Sequence, residues 1–187
     1  LQKAERSAHI NKILLSNTYS PDEHLSRIKS SYLKAPYFES VFSFVQDILF
    51  ESFDSSNGYL SDLNISLICL ACKNLGIDFK IYRSSTIREI LPYQTATEKL
   101  LSIAKHFGAT SYLSSAGAKA YMSPELHLFK EASIQLLWQD FTCTPYSQIH
   151  SPNSFVSHLC FIDYLFNCGF SDFKSHLKLS HKEIITF

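Results

Sequence analysis

The chain has 187 residues, of which 45% are hydrophobic and 14% are aromatic, so it can bury a core without a disulfide or a structural metal. Lys plus Arg and Asp plus Glu are equal at 17 each, which argues against the broad basic surface of a nucleic-acid-binding protein. The longest apolar runs are interrupted by polar residues and fall short of the roughly 20 residues that span a membrane as a helix.

The first third of the chain is predicted to be helical after one short strand. A cap at Ser20, followed by Pro21 and two acids, is typical of a helix start, and Ala35-Pro36 ends that helix. Apolar residues at helical spacing predict two further helices. The predicted elements are a strand at 9–15 and helices at 21–33, 37–53 and 60–75.

From Ile77 onward, strands and helices alternate. Thr95 and Glu98 form a capping-box pattern at a helix start. The predicted elements are strands at 77–82, 110–113 and 134–141, helices at 95–107, 123–132 and 155–168, and a polar, loosely ordered tail at 171–187. The β-α-β-α-β order predicts a single α/β domain whose mostly parallel, Rossmann-like sheet has flanking helices, with the first third as a helical insertion or lid.

Five cysteines lie mostly in apolar helical patterns, and their odd number favours reduced thiols in a cytoplasmic protein. Cys69-x-x-Cys72 has no second pair at zinc spacing, so we interpret it as two core thiols and predict no metal site. The opening residues have no apolar signal-peptide core and no initiator Met, so we expect the chain to begin inside a longer protein.

Polar residues follow the three predicted strands of the second half. In a parallel sheet they would share the edge at which α/β proteins bind ligands. We predict Asp140 and His150 as catalytic candidates, one or the other as the general base, and the others as substrate-binding residues. The predicted substrate-binding residues are Arg83, Ser84, Ser114, Ser115, Lys119, Tyr146 and Gln148.

Each of these residues also has a structural interpretation. Ser84 and Ser85 are typical of a turn cap, and Ser114 to Gly117 fits a tight turn as well as a phosphate cradle. Asp140 can form a structural ion pair with Arg83 or Lys119. A nucleophilic Cys168 is a further alternative, which would need a neighbouring base such as His150 or His158.

Several stretches in order resemble the WbqC-like family of bacterial surface-polysaccharide loci. They are Ser31–Phe38, Asp62–Asn64, Gly108–Ser114, Lys119–Tyr121, the Tyr146-x-Gln148 pair and Phe161–Gly169. The resemblance implies a role in making or decorating an amino sugar, by acyl or aminoacyl transfer to a nucleotide-linked sugar. It depends on no single motif, and the strand and Gln-Pro-x-Tyr-Leu-Pro-Trp-like segment with which family proteins usually begin are absent here.

Three functions follow as hypotheses. The first is a transferase of surface-polysaccharide synthesis with a small-molecule or nucleotide-sugar substrate. The second is a non-catalytic scaffold that binds a glycan or a partner enzyme, and the third is a nucleotidyltransferase-like enzyme whose triphosphate site lies in the absent opening segment. The sequence identifies no cofactor and no oligomeric state.

Overall fold

A computed structural model describes residues 8–87, 93–179 and 181–186 of the chain. The predicted α/β class is confirmed. The helices are α1 (Pro21–Tyr32), α2 (Phe38–Asp54), α3 (Leu60–Asn74), α4 (Ala96–His106), α5 (Lys119–Met122), α6 (Leu126–Glu131), α7 (Phe161–Cys168) and α8 (Phe173–Leu179). The strands are β1 (Ser111–Ser115), β2 (Gln135–Phe141) and β3 (His181–Thr186).

The described residues form two compact units. Unit 1 comprises Leu1–Lys80 and Pro145–Ser175, and unit 2 comprises Ile81–Thr144 and His176–Phe187. Each unit is therefore built from segments that are separated in the chain. The prediction of a single domain stays a prediction.

Unit 1 is mainly helical. The hydroxyl of Ser20 accepts a hydrogen bond from the backbone N–H of Asp22, and Pro21 occupies the first position of α1, as predicted. Helix α2 packs against α1, α3 and α7 through a row of fully or nearly fully buried residues that includes Val41, Val45 and Ile48. This packing fixes α7 against the start of α2, which is where the polar cluster described below lies.

Unit 2 contains a three-stranded sheet in the order β1-β2-β3. Strands β1 and β2 are parallel, with Ser111 opposite Gln135 and Ser115 opposite Gln139. Strand β3 is antiparallel to β2, so the mostly parallel, Rossmann-like sheet is not confirmed. The unit's buried core is Leu101, Ala104, Ala118, Met122, Phe129, Ile134, Leu136 and Trp138.

Two predicted strands are wrong, and one helix start and the tail differ from their predictions. Residues 9–15 contain a 3-10 turn at Ile10–Lys12 and a single bridge from Leu14 to Tyr59, and residues 77–82 form no strand. The last apolar helix begins at Phe161, six residues later than predicted. The tail is more ordered than predicted, since it contains α8 and β3.

Candidate functional site

Arg83 and Ser84 lie in unit 2, at a 3-10 turn that spans Ser84–Thr86. The carbonyl of Arg83 accepts hydrogen bonds from the backbone N–H of Thr86 at 3.0 Å and from its hydroxyl at 2.9 Å. Ser84 and Ser85 are exposed. Because no strand precedes them, strand pairing does not bring these residues to the sheet edge. Ser84 and Ser85 lie inside the turn, whose N-cap is Arg83 and has no side-chain cap hydrogen bond.

The parallel pair β1–β2 does place polar residues at one end of the sheet. Ser115 ends β1, is exposed, and lies opposite Gln139. Ser114 is buried, and its hydroxyl donates to the sulfur of Met122 at 3.7 Å, so it belongs to the core. The ammonium of Lys119 lies 5.6 Å from the ring centroid of Trp138, within range of a cation–π contact. Phosphate binding by Ser115 and Lys119 stays a prediction.

The two predicted bases lie in different units. Asp140 is in β2 of unit 2, where its backbone pairs with Lys182 of β3, and its side chain lies outside the described part of the molecule. His150 is in unit 1, together with Tyr146 and Gln148. The polar residues predicted to follow the first two strands, at 83–85 and 114–119, therefore belong to unit 2. Of those predicted to follow the third strand, Asp140 belongs to unit 2, and Tyr146, Gln148 and His150 belong to unit 1.

Within unit 1, the structure gathers polar side chains around the carboxylate of Asp163, which is only 4% exposed. The hydroxyl of Tyr32 donates to Oδ1 of Asp163 at 2.7 Å. The hydroxyl of Tyr146 and the amide of Gln148 donate to Oδ2 at 2.7 and 3.0 Å. All three donors are neutral, and they come from α1 and from the segment that leads to α7. We call Tyr32, Tyr146, Gln148, Asp163 and Asn167 the Asp163 cluster.

The Asp163 cluster also holds the segment that precedes α7. The Gln148 amide donates to the carbonyl of Val156 at 3.0 Å and accepts from its N–H at 2.9 Å. The Asn167 amide donates to the backbone carbonyl of Asp163 at 2.7 Å, and its oxygen accepts from the N–H of Ile149 at 2.8 Å. These pairings satisfy polar groups that would otherwise be costly to bury.

Two tyrosines that donate to Asp163 pack against other aromatic rings. The ring of Tyr32 stacks on Phe166 with centroids 4.4 Å apart and planes 9° apart. The ring of Tyr146 meets Tyr164 and Phe155 edge-on at 5.0 and 5.2 Å. Such ring pairs fix the orientation of the hydroxyls that bind Asp163.

His150 lies at the exposed rim of the Asp163 cluster. Its ring packs edge-on against Tyr32, with centroids 5.9 Å apart, and its Nε2 contacts the backbone carbonyl of Ser31. A carbonyl oxygen can only accept, so Nε2 carries the proton and donates. In the neutral ring Nδ1 is then the basic nitrogen, and His150 as a residue is exposed. This arrangement can accept a proton from a bound hydroxyl or amine.

Two groups near Asp163 have shifted proton affinities. Burial, followed by the hydrogen bond to Asp163 and its negative charge, raises the pKa of Tyr32 well above its usual value, so its hydroxyl remains a donor. Burial and the charge of Asp163 raise the pKa of the Cys168 thiol. A raised pKa lowers the thiolate fraction, which argues against the alternative of a nucleophilic Cys168.

Tyr146, Gln148 and His150 were predicted as site residues from the sequence, and their roles stay predictions. Tyr32, Asp163 and Asn167 were not predicted as site residues. A signal for the missed residues was present, since Asp163 and Asn167 are polar residues inside the most apolar helical pattern of the chain. A buried carboxylate needs donors, and tyrosine and amide side chains supply them. The apolar pattern could not show that Tyr32, 131 residues earlier in the chain, lies beside Asp163.

Among residues 8–87, 93–179 and 181–186, no group of three or more His, Cys, Asp and Glu side chains is arranged to hold a metal ion. Within the same ranges, no helix has the length and apolar character to cross a membrane.

Comparison with known proteins gives a match to one family model, described as the WbqC-like protein family, over residues 1–175. No curated protein matches the chain. No solved structure matches it either. The matched region contains every member of the Asp163 cluster together with His150.

Proposed function

The chain belongs to the WbqC-like protein family, and from that premise we propose that it is a transferase of bacterial surface-polysaccharide synthesis. The proposed reaction moves an acyl or aminoacyl group to the amine of a nucleotide-linked amino sugar. The observation that carries the proposal is the His150–Tyr32–Asp163 arrangement, because it offers a basic ring nitrogen beside a rigid polar cluster.

In this mechanism His150 is the general base. Its Nε2–H bond to the Ser31 carbonyl fixes the tautomer, and Nδ1 takes the proton that the attacking amine loses as it bonds to the acyl carbon. The donor's leaving group departs with the electrons of its bond to that carbon. Asp163 has a positioning role, since it holds the Tyr32 hydroxyl, and the Tyr32 ring contacts His150.

The test measures product formation by mass spectrometry, using purified protein, nucleotide-linked amino sugars and a panel of acyl and aminoacyl donors. His150→Gln keeps an N–H donor for the Ser31 carbonyl but has no basic nitrogen. We expect it to lower kcat by about 10²-fold or more, as the loss of a general base does. His127→Gln, at an exposed histidine in unit 2, is the matched control and should leave kcat unchanged.

Two outcomes contradict the proposal. One is a His150→Gln protein with the kcat of the unchanged chain. The other is the absence of product with every donor while the protein remains folded.

A second candidate, a non-catalytic glycan- or partner-binding protein, is favoured by one observation. The carboxylate of Asp163 already accepts three hydrogen bonds from the protein, so the cluster also fits a purely structural role. This candidate predicts that His150→Gln, like Arg83→Ala, Lys119→Ala and Asp140→Ala, still complements glycan synthesis. Changes to exposed aromatic residues would then abolish complementation.

A further inference from the structure

We propose that a shallow cavity at the start of α2 binds the pyranose ring of the sugar substrate. The cavity has a volume of about 390 Å³, which is near the lower limit for small-molecule sites. It is lined by Leu33, Ala35, Pro36, Tyr37, Phe38, Glu39 and Ser40, all in unit 1. The inference deepens the proposed function, since it takes from that proposal the sugar substrate and adds where its ring is held.

Tyr37 provides a fixed aromatic surface in this cavity. Tyr37 is 45% exposed although it is held from two sides. Its backbone N–H donates to the carbonyl of Phe166 at 3.2 Å, and its ring lies so close to Gly169 that a Cβ there would be 2.9 Å from Cε1 of Tyr37. A ring that is already immobilised loses little entropy when a ligand packs on it, and the C–H face of a pyranose fits such an apolar surface.

Glu39 is the charged residue among those that line the cavity. Its carboxylate is exposed and makes no hydrogen bond or ion pair with another described residue. Carboxylate oxygens are strong acceptors, so Glu39 can bind hydroxyl groups of a sugar whose ring lies on Tyr37. Its other role, as an acid in the first turn of α2, affects helix stability and not sugar affinity, so the two are separable by measurement.

The cavity and the Asp163 cluster are linked through Phe166, which contacts residues of both. Phe166 stacks on Tyr32 and, at 6.1 Å, on Phe38, and its carbonyl accepts the N–H of Tyr37. Leu33, which lines the cavity, directly follows Tyr32 in the chain. A sugar ring in the cavity is therefore bound next to the segment that carries the candidate site.

The experiment is an NMR titration of the isotope-labelled protein with the methyl glycoside of N-acetylglucosamine, without any acyl donor. We expect shifts of the Tyr37, Glu39 and Ser40 amides that saturate with a millimolar dissociation constant, as suits a single ring on a shallow surface. Glycerol at the same concentrations should give no saturable shifts. A titration with glucose at the same concentrations shows whether a pyranose without the N-acetyl group is sufficient for binding.

Variants separate the contribution of the Tyr37 ring and of Glu39 to sugar binding from general effects on folding. Tyr37→Leu should weaken binding at least about fivefold, Tyr37→Phe should stay within about twofold, and Glu39→Gln should weaken it about threefold. Tyr59→Leu, at another exposed tyrosine of unit 1 that does not line the cavity, is the control. If Tyr37→Leu fails to fold, Glu39→Gln still tests the site, because it should bind the sugar more weakly than Tyr37→Phe does.

The inference is overturned if no saturable shift occurs, if the shifts map to other residues, or if both Tyr37→Leu and Glu39→Gln bind with unchanged affinity. These outcomes leave the transferase proposal standing, because they concern sugar binding alone. Conversely, sugar binding without any transfer would overturn the proposed function and leave this site in place.

Discussion

At the scale of single residues, Asp163 is the most informative position in the chain. Its carboxylate is buried, and it accepts hydrogen bonds from two hydroxyls and an amide. Burying an ionised group is costly unless hydrogen bonds compensate for the lost water. Removing any one donor should therefore cost more than an average hydrogen bond, because the acceptor left behind is charged.

Tyr32→Phe tests this cost and its pH dependence. We expect the free energy of unfolding to fall by about 1.5–3 kcal/mol near neutral pH, where one bond to the carboxylate is lost. The pKa of Tyr32 is raised above its usual 10.0, so above about pH 10 the unfolded chain releases this proton while the folded chain keeps it. The free energy of unfolding should thus fall as the pH rises beyond 10. The fall should be smaller in Tyr32→Phe than in the unchanged chain.

Urea unfolding at a series of pH values from about 8 to 11 measures both effects. Tyr59→Phe is the control, because the Tyr59 side chain is exposed and has no hydrogen bond to another described residue. Equal slopes of stability against pH for the unchanged chain and Tyr32→Phe would count against the assignment of this linkage to Tyr32.

At the scale of elements, the accuracy of sequence prediction depended on how local the signal was. Caps at Ser20 and Thr95 fixed two helix starts within a residue, because a cap is a contact between near neighbours. The start of α7 was placed six residues too early, because Val156 is bound by Gln148 and His158 adopts a left-handed φ of 60°. Neither feature is visible in an apolar pattern.

The capping box of α4 allows a direct test at this scale. Thr95 accepts from the N–H of Glu98 at 3.1 Å, and its hydroxyl also donates to Glu125 at 3.0 Å. Thr95→Ala removes both contacts and should lower the free energy of unfolding by about 1–2 kcal/mol. The exposed Thr110, changed to Ala in the same way, should alter stability by less than about 0.5 kcal/mol.

Thermal or urea unfolding followed by circular dichroism provides the measurement. An effect of Thr95→Ala no larger than that of Thr110→Ala would show that the cap contributes nothing to stability.

At the scale of the whole molecule, the sheet was only partly predictable. The parallel pairing of β1 and β2 follows from their connection through helices, which the alternation of patterns revealed. Strand β3 was missed because His181–Thr186 lies in a polar tail without clear alternation, and its pairing with β2 is a long-range contact. The candidate site was missed in part for the same reason, since Tyr32 and Asp163 are adjacent only in the folded chain.

Each unit uses chain segments from both sides of the other, so we expect them to unfold together as a single domain does. Trp138 is the single tryptophan of the chain and is buried in unit 2, so its fluorescence reports on that unit. Far-ultraviolet circular dichroism reports mainly on the long helices α1, α2 and α3 of unit 1. Coincident urea midpoints are expected, and separate midpoints would refute a single domain.

The distance in sequence between Tyr32 and Asp163 has a consequence for biosynthesis. A ribosome that adds about 5–20 residues each second needs on the order of ten seconds to make the 131 residues that separate them. During that interval the nascent helix α1 has emerged without the acceptor for its tyrosine. A message that ended before the codon for Asp163 would therefore yield a polypeptide without Asp163 and the rest of α7. Unit 1 could not complete its packing in that polypeptide, which would be exposed to cellular proteases.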